Sequence, residues 1–124
     1  MKRTILLSIK PIYVEKILNK TKRFEFRTKA AKQDVNKIII YETMPTKKVV
    51  AEAEIKEVLK MKPEDLWEYT KKYAGCSKEY FDLYFKNRDV AYAYVLGNIT
   101  IYDKAKDLSK FGVKAAPQSF VYLD

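Results

Sequence analysis

Apolar and polar residues alternate along several short segments of the chain, which is the pattern of half-buried β-strands. In the segment KRFEFR, Phe24 and Phe26 share one face. Arg23, Glu25 and Arg27 share the other. Further segments are rich in β-branched residues or continuously apolar and also predict strands. These segments are residues 3–9, 37–44, 48–61, 90–103 and 119–124, with a bulge or bend at Gly97–Asn98.

Three segments carry the spacing and the end signals of short helices. Pro11 suits the first turn of a helix that ends near Asn19 or Lys20, because its missing N–H costs nothing there. Pro63 begins a second helix, and Gly75 is placed to end it. A third helix follows, for which Ser77 is the expected N-cap. We expect the aromatic stripe of this third helix to pack in the core rather than to stack on bases: Tyr80, Phe81, Tyr84 and Phe85.

About six strands and about three helices follow one another without a regular alternation of strand and helix. This order predicts an α+β fold that is mainly β: a small barrel of mostly antiparallel strands with peripheral helices. A chain of 124 residues fits a single domain, residues 1–124. No apolar run approaches the ~20 residues of a membrane-spanning helix, so we expect no membrane partner. Cys76 is the only cysteine, which agrees with a reducing cytoplasm.

The composition excludes several kinds of catalytic site. The chain has no histidine, so Ser-His-Asp and Cys-His catalysis and the usual zinc sites are impossible within it. No acidic cluster indicates a magnesium or manganese site, and we predict neither a metal nor a cofactor. Any proton transfer has to use Lys, Glu, Asp, Tyr, Cys or a chain terminus.

The formal net charge of +9 lies in the first half of the chain. Residues 1–62 hold 16 Lys and Arg against 7 Asp and Glu, whereas residues 63–124 hold 9 of each kind. A basic half joined to a neutral half is the electrostatic pattern of a protein that binds a polyanion. A well-solvated, lysine-rich surface is the alternative that the charge alone leaves open.

The segment "SIKPIYVEKILNKTKRFEFR", residues 8–27, resembles the opening of an ASCH domain, a member of the PUA-like superfamily. The family signature G-x-K-x-x-E-x-R is matched by Lys22, Glu25 and Arg27, while Lys20 stands where the family has glycine. We expect Lys20 to lie at a surface helix end, with Asn19 in the left-handed position that ends the helix. The segments "YFKNRDVAYAYVL" and "APQSFVYL" also resemble this family. The resemblance implies a small PUA-like β-barrel with a cleft that binds RNA or a modified nucleotide or nucleoside.

The resemblance, joined to the strand pattern, gives a set of candidate site residues. Glu25 and Arg27 lie two apart on one strand face and are close enough to pair, but Lys22 joins them only if the chain bends or bulges. Ser8 and Lys10 match the family's S-x-K-P opening. Gln118 and Ser119 either bond a base edge or pin the terminal loop. We expect the basic side chains around the signature to meet phosphates: Arg23, Lys29 and Lys32.

Two other functions remain open at this stage. The first is a metal-independent hydrolase acting on RNA or on a modified nucleoside such as N4-acetylcytidine, with Lys22 and Glu25 as catalytic residues. The branch of the family with this activity has threonine three residues after the signature lysine, where this chain has Glu25. The second is a regulatory module whose partner is a protein, bound through the aromatic second half of the chain.

Overall fold

The computed structural model describes residues 2–123. The strands are β1 (Arg3–Ile9), β2 (Phe24–Arg27), β3 (Val35–Glu42), β4 (Lys48–Met61), β5 (Ala91–Lys106) and β6 (Phe120–Leu123). The α-helices are α1 (Pro11–Leu18), α2 (Pro63–Thr70) and α3 (Lys78–Tyr84). Two short 3-10 helices cover Lys71–Tyr73 and Leu108–Phe111. Across residues 2–123, every helix is too short or too polar to cross a bilayer.

The strands form one mixed sheet in the order β2-β5-β4-β3-β1-β6. Strands β1 and β3 are parallel neighbours, and the remaining neighbouring pairs are antiparallel. A parallel pair requires a crossover connection, which α1 and β2 provide here. The predicted α+β, mainly β fold is therefore confirmed. The strand order does not test whether the sheet closes on itself, so the barrel stays a prediction.

The predicted elements differ from the observed ones mainly at their ends. Strand β2 contains only Phe24–Arg27. Lys22 lies before this strand, so the alternation of side chains between the two faces of β2 does not fix the direction of its side chain. Strand β3 covers Val35–Glu42, so it begins and ends two residues earlier than the predicted segment 37–44. The predicted bulge at Gly97–Asn98 is confirmed, because the register between β4 and β5 shifts there. Asp124, included in the predicted last strand, lies outside the described residues.

Both faces of the sheet are covered, which explains the continuously apolar runs in β1 and β3. Ile5 and Leu7 pack in a cluster that includes buried side chains of α1. Leu6, on the opposite face of β1, belongs to a separate cluster. A further cluster joins β2 to α3, where the Phe26 and Phe81 ring centres are 5.1 Å apart. Helix α3 is thereby fixed beside β2.

The ends of several elements meet at one edge of the sheet. Ser8 pairs with Tyr41 near the ends of β1 and β3, and α1 begins two residues after β1 with its first turn at Pro11. The terminal segment before β6 crosses the same edge, since the Ser8 N–H donates to the Ser119 carbonyl at 3.1 Å. A cavity opens where these ends face β2 and α3.

Candidate functional site

The cavity at this edge has a volume of about 530 Å³. This volume lies in the range of small-molecule sites, roughly 300–1,000 Å³. Six of the residues predicted from the sequence line it: Ser8, Lys10, Lys22, Glu25, Arg27 and Gln118. Much of the remaining wall is aromatic and comes from Tyr13, Phe26, Tyr41, Tyr80 and Tyr84.

Lys22 is almost fully buried, with 4% of its surface exposed. Its ammonium group donates a hydrogen bond to the Ala74 carbonyl oxygen at 2.7 Å and lies 4.7 Å from the centre of the Phe26 ring. Burial lowers the pKa of Lys22, and the neighbouring Glu25 carboxylate offsets part of that effect. Lys22 therefore holds its proton less tightly than an ordinary surface lysine.

The bend that brings Lys22 to the cavity is a turn at the end of α1. We expected Asn19 to take the left-handed position that ends the helix, and this is wrong. Asn19 has φ −89°, and Lys20 has φ +68°. The N–H groups of Thr21 and Lys22 both donate to the Lys16 carbonyl at 3.0 Å, which closes the turn. The left-handed residue is thus the one at the signature glycine position.

Gly75 leaves room for the Lys22 side chain because it has no Cβ atom. Its φ is +71°, and a Cβ atom at this position would lie 2.5 Å from Lys22 Cβ and 2.6 Å from Lys22 Cγ. Its carbonyl oxygen also accepts a hydrogen bond from Lys16 Nζ at 3.1 Å. The sequence predicted Gly75 only as a helix end, and the structure shows that it also packs directly on the buried lysine.

Glu25 and Arg27 form a buried ion pair on the cavity side of β2. Arg27 Nε and Nη2 both donate to Glu25 Oε2, at 3.1 and 2.8 Å. Arg27 Nη2 also donates to the Ser8 carbonyl at 2.9 Å, which ties β2 to β1. Within residues 2–123, both hydrogen bonds to the carboxylate end on Oε2. Glu25 Oε1 accepts no hydrogen bond from these residues and remains available as an acceptor.

Tyr80 and Tyr84 correct the expectation that the whole aromatic stripe of α3 packs in the core. Phe81 and Phe85 are buried, but Tyr80 and Tyr84 line the cavity with nearly parallel rings whose centres are 6.0 Å apart. Tyr13 joins them, with its ring centre 5.6 Å from that of Tyr80. A signal was present in the sequence: tyrosines with a polar tip alternate with phenylalanines, and the hydroxyl favours the wetter side.

Four other predicted residues lie near the cavity and contribute to it in different ways: Ser8, Lys10, Gln118 and Ser119. Ser8 donates from its hydroxyl to the Pro117 carbonyl at 2.6 Å, which pins the terminal segment to β1. Gln118 lines the cavity and is exposed. Ser119 contributes its backbone carbonyl to this pinning and is not part of the lining. Lys10 is exposed at the rim, just before α1.

The three predicted phosphate-binding residues do not line this cavity. Arg23 lies over the Tyr73 ring, 4.3 Å from its centre, and lines a second cavity of about 400 Å³. Lys29 and Lys32 are exposed in the segment between β2 and β3. Their role in binding phosphates stays a prediction.

Cys76 lies in the cavity wall and is half-buried. Burial is the largest influence on its thiol and raises its pKa. A raised pKa leaves less thiolate at neutral pH, so the side chain acts mainly as part of the apolar wall. Residues 2–123 contain no group of three or more side chains arranged to hold a metal ion.

The fold agrees with a match to a known family. A family model described as "ASCH domain" matches residues 7–118. The chain is a member of the ASCH domain family. This ASCH domain is similar to the crystal structure of ASCH from Zymomonas mobilis, with a TM-score of 0.89 at 23% identity over 98% of this chain and 88% of that one. A mutant of that protein matches with a TM-score of 0.89 at 22% identity, over 99% and 91% of the two chains.

Two curated relatives from Ureaplasma parvum contain a segment similar to this ASCH domain. One is "ATP synthase subunit alpha", 31% identical over 127 residues, which is 98% of this chain and 15% of that protein. The other is "Large ribosomal subunit protein uL22", 34% identical over 89 residues, which is 72% of this chain and 29% of that protein. The chain spans less than a third of either relative.

Proposed function

We propose that this ASCH domain binds RNA or a nucleotide and holds one base in the cavity beside Lys22 and Glu25. The proposal is carried by one observation: a tyrosine wall and a set of buried charged groups share the same cavity. Aromatic rings provide stacking faces for any base. The free Glu25 Oε1 accepts from an exocyclic amine, and Lys22 donates to a base carbonyl or a phosphate.

The distribution of charge supports a polyanionic partner. Lys10 and Lys47 contribute cations to the lining, and the net charge of +9 attracts a nucleic acid from a distance. In the proposed arrangement the sheet closes as a PUA-like barrel with the cavity at its side. The names of the two Ureaplasma relatives concern unrelated assemblies, and neither name supplies an activity for the segment they share with this chain.

Direct binding measurements on two variants of α3 test the proposal. Tyr80 lines the cavity, whereas Leu83 on the same helix is 71% exposed and lies outside the lining. Stacking of a base on an aromatic ring contributes about 1–3 kcal/mol, so Tyr80→Ala should weaken binding by roughly 5- to 150-fold. Leu83→Ala should bind as the wild type does. Calorimetric titration with the four nucleoside monophosphates and with a short single-stranded RNA gives the affinities.

Equal affinities of the wild type and the Tyr80→Ala variant for every ligand would contradict a base in this cavity. Failure of the wild type to bind any of these ligands would contradict the proposed function as a whole. A circular-dichroism melt of each variant shows whether a loss of affinity reflects the cavity or a loss of folding.

A second candidate function is hydrolysis of a modified nucleoside or of RNA, and the lowered pKa of Lys22 favours it. A buried amine that loses its proton more easily is suited to act as a base or a nucleophile. Glu25 is placed to act as a general base, although it cannot replace the threonine nucleophile of the hydrolase branch. Incubation with N4-acetylcytidine, other modified nucleosides and RNA should give turnover that Lys22→Ala abolishes. Unchanged substrates with the wild type would rule out this candidate for the compounds tested.

A further inference from the structure

A second cavity, of about 400 Å³, shares Lys22 with the first. Because Lys22 lines both, the two cavities meet at this residue. The second cavity is bounded by the end of α1, the start of β2, and the bulge of β5 at Gly97 and Asn98. The two cavities are therefore adjacent along the surface of the molecule.

Three further cations surround the second cavity: Lys20, Arg23 and Lys56. They come from the turn after α1, the entry to β2, and the middle of β4. One carboxylate lies at its edge, because Glu54 Oε1 is packed against Gly97. The cations outnumber this carboxylate, so the cavity favours an anion.

The backbone of Arg23 is fixed at this position by two hydrogen bonds. Its N–H donates to the Tyr73 carbonyl at 2.9 Å, and its own carbonyl accepts from the Leu96 N–H at 3.0 Å. The central carbon of its guanidinium group lies over the Tyr73 ring, 4.3 Å from the ring centre. A guanidinium that stacks on a ring keeps its N–H edges free for phosphate oxygens, and little side-chain freedom is lost when it binds.

We propose that the second cavity binds the phosphate of a neighbouring nucleotide while the first cavity holds a base. The preferred ligand is then an RNA strand of two or more nucleotides rather than a free nucleotide. This inference rests on the proposed function of the first cavity and adds a ligand class to it. It also replaces Lys29 and Lys32 with Lys20 and Lys56 as the phosphate partners closest to the site.

Two double variants that each remove two lysine charges distinguish direct contact with a phosphate from long-range electrostatic attraction. The test variant carries Lys20→Gln and Lys56→Gln. The matched control carries Lys60→Gln and Lys104→Gln, two exposed strand lysines that do not line the second cavity. The probes are the four nucleoside monophosphates and a single-stranded RNA hexamer of mixed sequence, titrated at several salt concentrations.

The test variant should bind the hexamer at least about tenfold more weakly than the control does, because the charged hydrogen bonds from Lys20 and Lys56 to the phosphate are lost. Its slope of log affinity against log salt should be smaller by about 1. Its affinity for the monophosphates should match that of the control. A hexamer affinity equal to that of the control would overturn the second subsite and leave the first cavity's function standing. Failure of the wild type to bind both the monophosphates and the hexamer would overturn both proposals.

Discussion

Lys20 occupies a backbone conformation that glycine adopts at lower cost. Its φ of +68° lies in the left-handed region, and it stands where the ASCH signature has glycine. The strain of a left-handed L-residue exceeds the extra chain entropy that glycine loses on folding. We therefore expect Lys20→Gly to raise the free energy of unfolding by about 0.5–1 kcal/mol, measured by urea denaturation.

Lys20→Ala is the matched control for this change. It removes the same charge but keeps a Cβ atom in the left-handed conformation. Its free energy of unfolding should stay near that of the wild type. Equal stabilisation by alanine and glycine would show that Lys20 destabilises the fold through charge repulsion rather than through backbone strain.

Lys22 should make the stability of the domain depend on pH in the alkaline range. Burial lowers its pKa in the folded state below the ordinary value of 10.5. Between the two pKa values the unfolded chain binds more protons than the folded one, so stability rises with pH across this window. Each unit of separation between the two pKa values contributes about 1.4 kcal/mol.

The Lys22→Met variant isolates this effect from the tyrosines. Burial raises the pKa of Tyr84 and Tyr94, which lowers stability as the pH rises through 10 in both proteins. The free energy of unfolding of the wild type minus that of Lys22→Met should increase from pH 7 to pH 10.5, measured by urea denaturation at each pH. A constant difference would contradict a lowered pKa for Lys22.

At the scale of elements, the connection between α2 and α3 contains Gly75, which packs directly against the buried Lys22 side chain. Gly75→Ala would place a Cβ atom 2.5 Å from Lys22 Cβ at a φ of +71°. Gly112 has nearly the same φ, +72°, but nothing within 4 Å of the corresponding Cβ position. Gly112→Ala should therefore cost only the backbone strain less the chain entropy that alanine saves, about 0.5–1 kcal/mol net.

Gly75→Ala should cost the same strain and about 1–3 kcal/mol more, because the lysine stem and the connection have to move apart. Thermal or urea unfolding of the two variants gives this difference directly. Similar losses of stability in both variants would show that the contact between Gly75 and Lys22 relaxes without cost.

Strands and helices were predictable from the sequence where the local residue pattern determines them. They were less predictable where contacts between distant parts of the chain determine them. Strand β4 matches its predicted range, because a valine pair and flanking prolines mark it locally. On α3, spacing alone placed Tyr80 and Tyr84 in the core with the phenylalanines. Their true side depends on β2 and α1, which lie far away in the sequence and meet α3 only in the folded chain.

At the scale of the whole molecule, the candidate site was predicted in part. Strand alternation predicted that Glu25 and Arg27 pair, and the family signature added Lys22 to them. No local pattern indicated that the segment before β6 crosses the ends of β1 and β3. That arrangement follows from the sheet order, in which the first and last strands are neighbours. For the same reason Gln118 reaches the cavity from the far end of the sequence.

The uneven charge of the chain leads to a final prediction about RNA binding. If three to five phosphates are neutralised, the slope of log affinity against log salt for single-stranded RNA should be about −2 to −3.5. Lys29 and Lys32 lie outside both cavities, so together they should act only through long-range attraction. Lys29→Gln with Lys32→Gln should therefore weaken binding of the RNA hexamer at low salt and have little effect near 0.5 M salt, where the Debye length is about 4 Å. Fluorescence anisotropy across this salt range measures both quantities. A loss of affinity that persists at high salt would place these two lysines in direct contact with phosphate, as the sequence first suggested.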